Sequence, residues 1–71
     1  MPPELSIVIP LYNEAENVEP LYAELSAALE AVGRSYEVIV VDDGSRDDSF
    51  ARLRAVHCRD PRWRIIRFRR N

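Results

Sequence analysis

Apolar and polar positions divide this chain into stretches of different rhythm. Leu5-Ser6-Ile7-Val8-Ile9 is short, β-branched and stopped by Pro10, and it predicts a first strand. Its apolar residues are nearly consecutive, as in a parallel strand covered on both faces. The rhythm then lengthens. Val18, Leu21, Tyr22, Leu25, Ala28, Leu29 and Val32 recur at three- and four-residue steps and predict a helix with one apolar stripe. Asn17 is its expected N-cap, which puts Pro20 in the first turn, where a missing N–H does no harm. Gly33 is a natural C-terminal stop. Tyr36-Glu37-Val38-Ile39-Val40-Val41 predicts a second strand, broken by Asp42-Asp43-Gly44-Ser45. Ser45 and Asp48 resemble a capping box, so a second helix is expected from about Arg46, with a weaker stripe of Phe50, Leu53 and Val56 or His57. Asp60-Pro61 ends it, and Trp63-Arg64-Ile65-Ile66-Arg67-Phe68 predicts a third strand guarded by arginines.

The order is β-α-β-α-β, and the strands lie too far apart for hairpins. Parallel pairing through right-handed crossovers follows, with the second strand beside the first and the third outside it. Both helices then fall on one face of the sheet. The other face stays apolar and uncovered, carrying either Val8, Val38 and Val40 or the alternate set Ile7, Ile9, Ile39 and Val41. Such a chain on its own is expected to be poorly folded or self-associating. The fold class expected is therefore α/β with an incomplete parallel sheet.

Composition narrows the field. With 46% hydrophobic and 31% charged residues in 71, the chain has the balance of a globular fold. Its one cysteine, Cys58, forms no internal disulfide, and Cys58 with His57 is too small a ligand set for a structural zinc. No apolar run approaches the roughly 20 residues of a membrane span. The start, Met-Pro-Pro-Glu, has no features of a secretory leader. The net charge of −2 hides an asymmetry. Residues 1–48 hold eleven acids against Arg34 and Arg46, whereas residues 49–71 hold eight arginines against Asp60. The basic end suits either a solvated, charge-protected sheet edge or an anionic surface.

In open α/β sheets, ligands bind beyond the carboxyl ends of the strands. Two loops emerge there: Pro10-Leu11-Tyr12-Asn13-Glu14 and Asp42-Asp43-Gly44-Ser45. The first has no glycine, which excludes a Gly-rich dinucleotide turn, and no Gly-Lys-Ser/Thr phosphate loop is present. Carboxylates accept hydrogen bonds and repel phosphates. Asp43 and Glu14 therefore suit ribose hydroxyls or the N–H groups of a base, and Tyr12 offers a flat face and a hydroxyl. The same residues also read as a plain turn and helix cap. His57 and Cys58 read as structural or surface residues, and Trp63 as a packing residue rather than a ligand platform.

Ser6 to Asn17, with its Asn-Glu-x-x-Asn element, and Tyr36 to Asp47, with its Asp-Asp-Gly-Ser-x-Asp element, resemble the start of family-2 glycosyltransferases of the GT-A fold. With Asp60-Pro61-Arg62 through Arg70-Asn71, they look most like the polyprenyl-phosphate branch, which includes dolichol-phosphate mannosyltransferases and undecaprenyl-phosphate glycosyltransferases. The resemblance implies a Rossmann-like N-terminal portion, residues 1–71, that forms the nucleotide-recognition part of one catalytic domain. It implies sugar transfer with inversion from a nucleoside-diphosphate sugar to a polyprenyl phosphate at the cytoplasmic face of a membrane. It also implies a divalent magnesium or manganese ion held by a later Asp-x-Asp that is absent here. Nucleotide-sugar contacts map onto Pro10, Tyr12, Glu14, Val41 and Asp43. Asp42 is expected to brace its loop. No catalytic or metal-binding residue is expected within the chain, and no nucleic acid partner. A receiver-type signalling module is the alternative, although its acids belong after the first strand.

Overall fold

The computed structural model describes residues 2–68. The elements run β1 (Leu5–Leu11), α1 (Ala15–Val32), β2 (Tyr36–Asp42), α2 (Ser49–Arg59) and β3 (Trp63–Arg67). The three strands form one parallel sheet in the order β1-β2-β3, as the spacing predicts. The end of the basic segment, Arg70-Asn71, lies outside the described residues.

Register sets which residues are covered. Ile7 pairs with Val38, Val8 with Ile39, Ile9 with Val40 and Pro10 with Val41. Leu11, Tyr36, Val38, Val40 and Trp63 meet Val18 and Leu29 of α1 and Leu53 and Val56 of α2 in one buried core. Both helices cover this face. Val8 and Ile66 of the opposite face are 63% and 46% exposed, and Ile39 and Val41 are half-buried. Neither expected grouping of the open face survives. Val38 and Val40 are fully buried, and Val8 shares its face with Ile39 and Val41 instead. Apolar residues on both faces of β2 erase the period-two signal, so only the pairing register decides the grouping.

β1 also runs two residues further than expected, through Pro10 to Leu11. Leu5 donates its N–H to Ser35, and the Leu11 carbonyl accepts from the Asp43 N–H. Odd-numbered β1 residues therefore turn their backbone groups to β2. Pro10, an even position, presents its missing N–H to the open edge, where a ladder loses nothing. α1 ends on Gly33 in the left-handed region (φ 75°), as predicted.

At the opposite end from the strand termini that carry the loops, Asp60 pins three elements. It accepts from Arg62 Nε at 2.9 Å and Nη2 at 3.0 Å, and from the Tyr22 hydroxyl of α1 at 3.1 Å. Arg62 lies 4.4 Å from the centroid of the Tyr36 ring, and Tyr22 meets Trp63 edge-on at 5.1 Å. His57 Nδ1 donates to the Trp63 carbonyl at 2.6 Å, and Trp63 is buried; both act as structural residues, as expected.

Candidate functional site at the strand carboxyl ends

The two loops stand side by side because β1 and β2 are parallel neighbours that end in register, Leu11 beside Asp42. The first step between them is a backbone bond from Asp43 N–H to the Leu11 carbonyl at 3.0 Å. Four side-chain bonds then stitch the loops together. Ser45 Oγ accepts from the Asn13 N–H at 2.9 Å, and Ser49 Oγ accepts from the Glu14 N–H at 2.9 Å. Asp47 Oδ2 accepts from the Ala15 N–H at 3.3 Å, and Asn13 Oδ1 accepts from the Arg46 N–H at 2.7 Å.

These bonds correct both expected caps. α1 begins at Ala15 after Glu14, not after Asn17, which falls inside the first turn. Pro20 accordingly lies within the helix rather than at its start. The Ala15 N–H at the start of the first turn finds its acceptor on the other loop, in the Asp47 carboxylate, and the Asn17 N–H bonds to the Glu14 carbonyl. α2 begins at Ser49, not near Arg46, and the Ser45–Asp48 capping box does not form. Asp47 takes that role, accepting from the Ser49 N–H at 2.9 Å and from the Ser49 hydroxyl. The Ser49 hydroxyl is the main reason the Asp47 carboxyl is held below the ordinary carboxylate range.

The strained backbone of the loops falls on suitable residues. Gly44 has φ 78° and Asn13 φ 50°, both left-handed, and Asn is the side-chain-bearing residue that tolerates this region best. Asp42 is fully buried, and its Oδ1 accepts from the Ser45 N–H at 2.9 Å, the bracing role expected of it. Its Oδ2 has no partner among the described residues.

The predicted contact residues divide over two sides of this junction. Pro10 and Val41 are register partners on the open sheet face. Tyr12 and Asp43 follow directly on the two strand ends, Tyr12 exposed and Asp43 half-buried. Glu14 lies on the helix side, lining a hollow of about 430 Å³ with Asn13, Asn17, Asp47, Asp48 and Arg52. Sequence reasoning missed the residues that hold the loops together: Asn13, Ser45, Asp47 and Ser49. Their partners are about thirty-odd positions away, and no local pattern marks them. Among the described residues, no group of three or more His, Cys, Asp or Glu side chains is placed to hold a metal. No helix among them is long and apolar enough to cross a membrane.

Residues 6–71 match the model of the family described as Glycosyl transferase family 2. Over 68 residues the chain is 41% identical to the uncharacterized glycosyltransferase sll0501 of Synechocystis sp., covering 96% of this chain and 21% of that protein. Over 50 residues it is 46% identical to an undecaprenyl-phosphate 4-deoxy-4-formamido-L-arabinose transferase of Enterobacter sp., covering 70% of this chain and 15% of the relative. The fold superposes on the mannosyltransferase PcManGT from Pyrobaculum calidifontis, solved with GDP-Man and Mn2+, with a TM-score of 0.69 and 21% identity. That match covers 100% of this chain and 20% of the mannosyltransferase. At that identity the likeness is one of fold: the Rossmann-like N-terminal portion of a GT-A domain. The family match removes the ground for a receiver-type module. The chain thus spans about a fifth or less of the length of these relatives.

Proposed function

The chain belongs to glycosyl transferase family 2, and we propose that it forms the nucleoside-binding part of an enzyme that uses a nucleoside-diphosphate sugar. The observation that carries this reading is the stitched pair of loops at adjacent strand ends. Four cross-loop bonds hold the backbone of the two loops that carry Glu14, Asp43 and Tyr12. Preorganised acceptors of this kind bind donors without the cost of ordering a loop. Asp43 accepts from the base, Glu14 from base or ribose, and Tyr12 flanks the base. Pro10 and Val41 supply apolar contact from the neighbouring sheet face. The carboxylates disfavour the diphosphate, which extends away from them.

The acceptor in this reading is a polyprenyl phosphate, and the enzyme works at the cytoplasmic face of the membrane. A phosphate oxygen of the acceptor forms a bond to the anomeric carbon from the face opposite the leaving group. The bond from that carbon to the diphosphate oxygen breaks, the nucleoside diphosphate departs, and the configuration inverts. The described residues do not fit a metal site. The divalent magnesium or manganese ion that the resemblance implies would take its ligands from elsewhere in a longer enzyme, and no step is assigned to it.

Titration of the complete enzyme with UDP and GDP tests the assignment. Removing the Asp43 carboxylate in Asp43→Ala leaves a donor on the base unpaired and weakens binding by about 1–3 kcal/mol. A variant that binds both nucleotides as tightly as the parent removes Asp43 from the site.

A further inference from the structure

The backbone at Glu14 is held on both sides. Its N–H donates to the Ser49 hydroxyl at 2.9 Å, and its carbonyl accepts from the Asn17 N–H at 2.9 Å. The next N–H, that of Ala15, donates to Asp47 Oδ2 at 3.3 Å. The two peptide planes that flank a residue fix its φ and ψ, here −125° and 43°, and with them the direction in which its Cβ leaves the backbone. Two of these three bonds come from the segment that enters α2, one from Asp47 directly and one from Ser49, which Asp47 itself holds. Asp47 Oδ1 accepts from the Ser49 N–H at 2.9 Å and from the Ser49 hydroxyl. Ser49 is fully buried. A hydroxyl has one proton and two lone pairs. With that proton committed to Asp47, a lone pair is left facing the Glu14 N–H, and the hydroxyl rotor is fixed.

The network therefore converges on one carboxylate. Three donors occupy the two oxygens of Asp47, two from Ser49 and one from Ala15. Asp48, the next residue, lines the same hollow, yet its side chain makes no capping hydrogen bond. Hydrogen bonds weaken steeply once the donor angle closes below about 120°, so an acceptor has to be aimed as well as present. We propose that Asp47 is a positioning residue for nucleotide binding, acting through the Ser49 hydroxyl and the Ala15 N–H on the direction of the Glu14 side chain. The proposal rests on the reading of Glu14 as a nucleoside contact. It adds to that reading a residue whose loss weakens binding although its own oxygens are spent on the protein.

Titration of the complete enzyme with UDP and GDP, each variant shown to be folded by circular dichroism, tests this. Asp47→Asn keeps the shape but has only one acceptor oxygen, and it turns an amide donor towards either Ser49 or the Ala15 N–H. It is expected to weaken binding of the nucleotide that the parent binds by about five- to tenfold. Asp48→Asn removes the same charge one residue along. It is expected to bind as tightly as the parent or slightly more tightly, because one carboxylate fewer means less repulsion of the diphosphate. A loss in Asp47→Asn therefore has the opposite sign to a charge effect. Glu14→Ala is expected to weaken binding, and Asp47→Asn added to it to cost no more than about a further twofold, since both act at one contact. The proposal fails if Asp47→Asn binds as tightly as the parent, or if Asp48→Asn weakens binding as much. It fails also if Asp47→Asn costs its full factor in the Glu14→Ala background, which marks action at another point of the ligand. In each of these cases Glu14 keeps its assigned contact. Parental affinity in Glu14→Ala overturns that assignment and the proposal with it.

Discussion

The two faces of one three-stranded sheet have different chemistry. On the covered face, Val38 and Val40 of β2 and Trp63 of β3 are closed off by two helices. On the other, Val8 and Ile66 stand in water, and Ser6, Glu37 and Arg64 share the surface with them. There the Ser6 hydroxyl donates to Glu37, and Arg64 pairs with Glu37 at 3.6 Å. β2 is equally apolar in both directions, so its sequence does not distinguish the faces. What distinguishes them is the presence of helices whose stripes fit only one. The core of the chain therefore lies on one face of the sheet.

The largest expected effect tests that division at its most buried point. Trp63 is 1% exposed and packs against Tyr22. Trp63→Ala removes the largest covered side chain and is expected to cost about 3–5 kcal/mol. Domains of this size have roughly 5–15 kcal/mol in all, so urea unfolding should show a sharply lowered midpoint or no cooperative transition. A variant that unfolds like the parent would show that the core does not hold the fold.

A smaller effect comes from the buried carboxylate on the same side. Asp60 is buried, and the Arg62 guanidinium, followed by the Arg62 backbone N–H and the Tyr22 hydroxyl, holds its carboxyl below the usual carboxylate range against the opposing effect of burial. Its folded value lies below its unfolded one, so its stabilisation is complete above the unfolded value and is lost as pH falls through the folded value. Asp60→Asn keeps the shape and removes the charge, at an expected cost near neutrality of about 1–3 kcal/mol. Urea midpoints followed from neutral pH into acid should show the gap between parent and variant closing. A gap that stays constant into acid would show that Asp60 acts by shape alone. Asp47, also held low, adds acid sensitivity to both proteins alike.

These residues show what was legible in the sequence. The helix stripes, the Gly33 stop and the parallel order are local or additive signals, and the structure has them. The helix starts were misread because caps are ordinarily sought within three residues. Here Asp47 accepts from the first helical residue, Ala15, and Ser45 and Ser49 from the Asn13 and Glu14 N–H groups just before it, 32 to 35 positions away. The open face was misread because register, not composition, sets parity. Candidate contact residues were legible as loop chemistry, but the bonds that hold those loops together were not. They exist only once β1 and β2 lie side by side.

The smallest expected effect on stability is also the sharpest test of the open face. Val8 is 63% exposed, and its even position turns its backbone groups toward the unpaired edge of β1. Val8→Thr keeps the branched shape that suits a strand and exchanges a methyl for a hydroxyl. On a covered face that hydroxyl would need a partner, and its burial would cost about 1–3 kcal/mol. On an open face water solvates it, and the unfolding free energy should move by no more than about 0.5 kcal/mol. Self-association should fall, because an apolar side chain beside an unpaired strand edge favours edge-to-edge pairing. Sedimentation velocity over a concentration series, set beside urea unfolding of the same samples, reads both quantities. A loss of stability comparable to a core substitution would mean that the second face is covered in solution, by another copy of the chain.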